Sequence, residues 1–132
     1  MAIDYGNRRI GVAVSESGVL ASPHSVVANE GDVVDRLATL ATELEADTIV
    51  VGIPRRQFAD AKQKVFRDFA ERLRQKTCKA VVLWNEELTT ADAAERLRAS
   101  GRKRREAQRD IDMYAAAVIL QSYLDELRRG RP

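Results

Sequence analysis

Two near-continuous apolar runs anchor the reading of this chain. They are Thr48-Ile49-Val50-Val51-Gly52-Ile53, ended by Pro54, and Lys79-Ala80-Val81-Val82-Leu83-Trp84. Short apolar runs bounded by turn residues read as strands covered on both sides. Between and around them the pattern changes to helical spacing. Val33, Val34, Leu37, Leu40, Ala41 and Leu44 recur on one face after Gly31-Asp32. Residues from about Asp60 to Lys76 form a second amphipathic stretch, with Val65, Phe66, Phe69 and Leu73 expected on its inner face. Thr89–Ala99 and Ile111–Leu127 predict two further helices.

The first fifteen residues carry a different pattern. Ala2-Ile3-Asp4 reads as a short strand ending in a carboxylate, Gly6-Asn7 as a turn, and Arg9 to Ser15 as a returning strand. Ser25–Ala28, approached from Ser22-Pro23, predicts a third strand. Strand-helix-strand-helix order with buried strands argues for parallel pairing through crossovers, and the opening meander for an antiparallel flank. The expected fold is α/β, a mixed sheet with an antiparallel opening meander and helices on both faces.

Composition narrows the class. With 132 residues, the chain is expected to form a single domain over 1–132. No apolar run reaches the length of a membrane span, and no secretory signal pattern opens the chain. Cys78 is the only cysteine, so no internal disulfide forms; a reducing, cytoplasmic location is expected. The net charge is only +2. Its distribution says more, because Arg96, Arg98, Arg102, Lys103, Arg104, Arg105 and Arg109 crowd one short segment.

Three carboxylates carry the candidate chemistry. Asp4 ends a strand among apolar neighbours, and a buried carboxylate needs a partner. A bound cation supplies one; a turn-initiating Asp is the ordinary alternative. Asn85-Glu86-Glu87 follows directly on the strand ending at Trp84. Parallel strands present their C-terminal ends at one edge, so Asp4 and Glu86 can share a mouth, although an isolated Glu pair is usually a solvated loop. Asp112 shares a helical stripe with Ala116, Ile119, Tyr123 and Leu127, near a helix N-terminus that Asp110 is placed to cap. Inward carboxylates from three elements make an oxygen-rich site for Mg²⁺ or Mn²⁺. His24 beside Pro23 reads as structural, Cys78 as inert, and Trp84 as core before a base-stacking surface.

Four blocks in register resemble a known family. They are Asp4-x-Gly6-x-x-Arg9-Ile10-Gly11-x-Ala13-Val14, Val51-Gly52-Ile53-Pro54, Glu86-x-Leu88-Thr89-Thr90-x-x-Ala93, and Ile111-Asp112-x-x-Ala115-Ala116 with Ile119-Leu120-Gln121-x-Tyr123. Over nearly the full length this is similar to the YqgF/RuvX family, described as Holliday junction resolvases and as pre-16S ribosomal RNA processing nucleases. The resemblance implies a ribonuclease H-like fold and metal-dependent phosphodiester hydrolysis, with the acidic residues at Asp4, Glu86 and Asp112. Arg9 reads as a phosphate contact near Asp4 or as a partner for a metal-site carboxylate, and the resemblance favours the phosphate. The family's Asp-Glu-Arg before its Thr-Thr pair is here Asn85-Glu86-Glu87, which leaves Glu86 as the second ligand. Beside such a site Arg102, Lys103, Arg104 and Arg105 are expected to neutralise a nucleic-acid backbone.

The expected activity is that of a divalent-metal-dependent nuclease, first on the 5′ end of pre-16S ribosomal RNA. The alternatives are a Holliday junction or branched-DNA endonuclease, and a nucleic-acid-binding module without activity. The expected partner is structured RNA or branched DNA, with no membrane, and the chain itself a monomer or homodimer.

Overall fold

The structure is a computed structural model that describes residues 1–53, 61–85 and 108–130; for 61–62 and 108–112 it describes the backbone alone. The described elements run β1 (Ala2–Asp4), β2 (Arg9–Val14), β3 (Ser22–Ala28), α1 (Val33–Glu43), β4 (Thr48–Ile53), α2 (Ala61–Thr77), β5 (Ala80–Asn85) and α3 (Gln108–Arg128). The expected helix at Thr89–Ala99 lies outside the described residues.

The five strands form one sheet in the order β3-β2-β1-β4-β5. Strands β1, β2 and β3 pair antiparallel, whereas β1–β4 and β4–β5 pair parallel. This is the mixed sheet read from the sequence. The short β1 sits at its centre. Its ladder with β4 extends back to Met1, whose carbonyl accepts the Val50 N–H at 2.9 Å. The Met1 amino group donates to the Thr48 carbonyl at 3.0 Å, and burial lowers its pKa from the usual value.

Alternation along the strands sorts side chains into two cores. Ile3, Ile10, Val12, Ile49, Val51 and Val81 pack against Leu37 and Ala41 of α1 and Phe69 and Leu73 of α2. On the other face Ala2, Ala13, Val50 and Trp84 pack against Ala116, Ala117, Ile119 and Leu120 of α3. Among the described residues helices therefore cover both faces, two on one and one on the other.

Val65 departs from expectation, being 51% exposed. The inner stripe of α2 is Phe66, Phe69, Ala70 and Leu73, at spacings of three and four, and Val65 lies beyond its edge, about 90° from its centre. Helix α3 also departs from a single-stripe pattern. Every residue from Ala116 to Ser122 is buried, while Leu127 is 41% exposed, so the end of the proposed stripe lies in solvent. The helix begins at Gln108, which places Asp110 inside the first turn and not at the cap.

The buried Gln121 ties α3 to the β2–β3 loop. Its Oε1 accepts the Ala21 N–H at 2.9 Å, and its Nε2 donates to the Val19 carbonyl at 2.9 Å and to Asp125 Oδ1 at 3.1 Å. Gln121→Leu would strand two backbone groups that now have partners. A loss of about 2–6 kcal/mol is expected, at about 1–3 kcal/mol for each of the two unsatisfied groups. Urea unfolding of the two proteins checks it, with a lower midpoint at an unchanged slope.

Candidate functional site

The alternation that sorts the core also aims Asp4. Ala2 faces α3 and Ile3 faces α1 and α2, so Asp4, the next residue but one after Ala2, lies on the α3 face. It is half-buried and ends its strand. Register sets its neighbours: Asp4 lies opposite Gly11 of β2 and Gly52 of β4, Gly11 opposite Val26 of β3, and Gly52 opposite Trp84 of β5. The carboxylate is thus flanked on both adjoining strands by residues without side chains.

Gly52 has a packing reason to be glycine. A Cβ there would collide with Ile119 Cδ1, so α3 rests directly on the sheet beside Asp4. The direction of α3 follows from its contacts. Leu120, Leu124 and Leu127 share a groove of about 400 Å³ with Met1 and Thr48, at the starts of β1 and β4. Met113 lines a hollow with His24, Ser25 and Val26, level with Asp4 across the sheet. The N-terminal turns of α3 therefore lie toward the end of the molecule that carries Asp4. Position 112 precedes Ile119 by seven residues, two turns along the same helix face. That groove is at the opposite end and is not part of this site.

The β5 strand points at the same edge. It ends at Asn85, opposite Ile53, the residue after Gly52. Val82 and Trp84 belong to the α3-side core and Val81 and Leu83 to the other, so Asn85 alternates to the face away from Asp4. Glu86, Glu87, Arg102, Lys103, Arg104 and Arg105 lie outside the described residues, and for Asp112 only the backbone is described. Among the described residues no three acidic, histidine or cysteine side chains converge as metal ligands. Asp4 alone can be placed by its surroundings, which suit a hard cation: carboxylate oxygens at an open strand end, with glycine on either side.

Arg9 is exposed and opens β2, alternating with Ile10 onto the α3 face, which is the face of Asp4. Trp84 is core. It is buried, its Nε1 donates to Ser122 Oγ at 3.2 Å, and its ring meets Tyr123 edge-on with centroids 5.2 Å apart. The alternative of an exposed stacking surface is thereby corrected. His24 is exposed, its Nδ1 2.9 Å from Ser25 Oγ. Cys78 is exposed with φ +58°, and its N–H closes the end of α2 on the Arg74 carbonyl at 2.8 Å. Asn29 was not legible in the sequence, where a lone Asn after a strand is an ordinary turn residue. In the fold its Nδ2 donates to the Gly6 carbonyl at 2.7 Å, in the turn that follows Asp4.

Comparison with known proteins bears on the family and the fold. A family model described as "RuvX: Holliday junction resolvase" matches residues 1–126. A Geobacillus kaustophilus protein named "Putative pre-16S rRNA nuclease" is 38% identical over 135 residues, covering 97% of this chain and 98% of its own length. A Mycobacterium tuberculosis protein of the same name is 41% identical over 133 residues, covering 96% of this chain and 78% of its own. Among solved structures, Thermus thermophilus RuvC in complex with a Holliday junction substrate shares the fold. Its TM-score is 0.65 at 15% identity, over 97% of this chain and 93% of that one. The ribonuclease H-like fold expected from the sequence is the fold found.

Gly52→Ala tests the close approach. The added methyl must displace Ile119, and over-packing of this kind costs about 1–3 kcal/mol. A melting temperature lower by several degrees is expected. Gly52→Ala combined with Ile119→Val, which shortens the opposing side chain, should melt higher than Gly52→Ala alone.

Proposed function

The chain belongs to the RuvX family, and from that premise we propose that it is a divalent-metal-dependent nuclease whose first substrate is the 5′ region of pre-16S ribosomal RNA. The observation that carries the reading is the placement of Asp4: at the end of the central strand, on the face covered by α3, between Gly11 and Gly52. The relatives over 30% identical carry the name of a pre-16S rRNA nuclease, which favours RNA over a four-way DNA junction as the first substrate.

In this reading Asp4, Glu86 and Asp112 hold Mg²⁺ or Mn²⁺. Such an ion, when bound, offsets phosphate charge and lowers the pKa of a water molecule. The chain's own residues do the rest. Asp4 projects from the most central strand and is the natural shared ligand. Glu86 directly follows β5, and Asp112 comes from the helix that crosses the α3 face. Asn85 belongs to the opposite face, so the amide at that position does not remove a ligand from the set. Arg9 meets a phosphate of the substrate on the Asp4 face. Arg102, Lys103, Arg104 and Arg105 neutralise backbone charge further along, and contribute binding more than chemistry. A cytoplasmic location suits this substrate. No described helix is long and apolar enough to cross a membrane.

The deciding experiment compares cleavage of precursor ribosomal RNA and of a four-way DNA junction, with Mn²⁺ and with chelator. Identically prepared Asp4→Asn protein excludes a contaminating nuclease. RNA cut by wild type with Mn²⁺ alone, and not by Asp4→Asn, is the expected result. Cleavage of the junction alone would favour the resolvase reading. Cleavage of neither would leave a binding module.

Two further outcomes follow from the ligand set. Metal binding to the folded state raises stability by about 2.7 kcal/mol at one hundred times Kd. Mn²⁺ should therefore raise the melting temperature of wild type by several degrees and that of Asp4→Asn much less. The adjacent glutamates should also separate, because neighbouring side chains of an extended segment point to opposite faces. Glu86→Gln should abolish cleavage and Glu87→Gln should retain most of it. The reverse result would shift the ligand assignment by one residue.

A further inference from the structure

The turn between Asp4 and Arg9 is gripped from outside the hairpin. Asn29 follows the last residue of β3, and holds that turn at two points. Its side-chain Nδ2 donates to the Gly6 carbonyl at 2.7 Å, and its backbone N–H donates to the Arg8 carbonyl at 2.9 Å. The turn has no slack of its own, because a Cβ at Gly6 would lie 2.5 Å from the Arg9 carbonyl oxygen. Tyr5 is fixed from the other side, its ring edge-on to Phe66 and Phe69 with centroids 5.4 and 4.6 Å away.

Asn29 is itself held. Arg36 of α1 sends Nη2 to the carbonyls on either side of it, Ala28 at 3.0 Å and Glu30 at 2.6 Å, while its Nε pairs with Asp32 at 3.1 Å. A continuous set of bonds thus runs from α1 through residues 28–30 to the turn, and the turn sets the backbone from which Arg9 departs.

We propose that Asn29 is a positioning residue for nucleic acid. It fixes the Gly6–Arg8 turn so that Arg9 is presented beside Asp4 for a substrate phosphate, and Arg36 supports it. The inference rests on the reading of the Asp4 edge as the nucleic-acid site. It adds an uncharged side chain whose loss should look like the loss of a charge.

The test is binding of a fluorescently labelled RNA containing the 5′ region of a 16S precursor, measured by anisotropy over a range of salt with chelator present. Arg9→Ala should weaken binding and make the slope of log affinity against log salt shallower by about 0.7–0.9, the contribution of one phosphate. Asn29→Ala should reduce the slope by a similar amount although it removes no charge, and should weaken binding five- to tenfold. The double variant should bind no worse than Arg9→Ala alone within about twofold, since the two act through one contact. Arg36→Met should give a smaller change in the same direction, and carries the same test should Asn29→Ala fold poorly.

A lower melting temperature with an unchanged salt slope in Asn29→Ala and Arg36→Met would overturn the proposal and leave Asn29 a purely structural clamp. An unchanged slope in Arg9→Ala itself would instead remove Arg9 from the phosphate contacts, and this inference with it. Absence of RNA binding by wild type would overturn the underlying reading of the site.

Discussion

Helix α3 lies directly on the sheet at Gly52, where Ile119 occupies the space a side chain would need. That contact sets the height of the whole helix above β1 and β4, and much else depends on it. Ala116 and Ala117 are small enough to keep the helix low on the neighbouring strands. Gln121 then reaches the β2–β3 loop, and Trp84 reaches Ser122, at hydrogen-bonding distance. At the other end the same approach brings the first turns of α3 to the level of Asp4. A bulkier residue at 52 would lift the helix and disturb both ends together.

The second constraint is strand alternation. Asp4 is on the α3 face because Ala2 is, and Asn85 is on the opposite face because Leu83 is. A one-residue slip in β1 would turn its carboxylate into the core that holds Phe69 and Leu73. Pairing on both sides, with β2 and β4, prevents that slip in a strand of three residues. The Asn29 clamp adds a further restraint just past the strand end, where ladder hydrogen bonds stop.

Much of this was legible from residues alone, for identifiable reasons. The run at Thr48–Ile53 is buried on both faces, as an interior parallel strand is, whereas Ala80–Asn85, expected to be equally covered, is the edge strand of the described sheet and only partly buried. The hairpin carrying Asp4 was signalled by Gly6-Asn7 between apolar stretches. The helical inner face of α2 was read one residue too wide, because Val65 is apolar yet stands off the stripe of Phe66, Phe69 and Leu73. The start of α3 was placed too late, since Gln108 and Arg109 are polar and show no periodicity. Asn29 and the two-ended grip of Gln121 on Val19 and Ala21 could not be read at all. They join residues 23 and about 100 positions apart in sequence, and single polar side chains carry no periodic signal of their partners. The candidate ligands were read from charge placed against pattern; the register then aligned Asp4 with the end of β5 and the α3 face.

The proposed centre has Asp4, Glu86 and Asp112 around a divalent ion on the α3 face at the C-terminal edge of β1 and β5. A crystal grown with Mn²⁺ tests it most directly, through the anomalous signal of the metal. The expected result is a peak at bonding distance from an Asp4 carboxylate oxygen, with oxygens of Glu86 and Asp112 completing the shell, and loss of that peak in Asp4→Asn. A metal bound elsewhere, or a shell at Asp4 that includes Glu87 in place of Glu86, would contradict it.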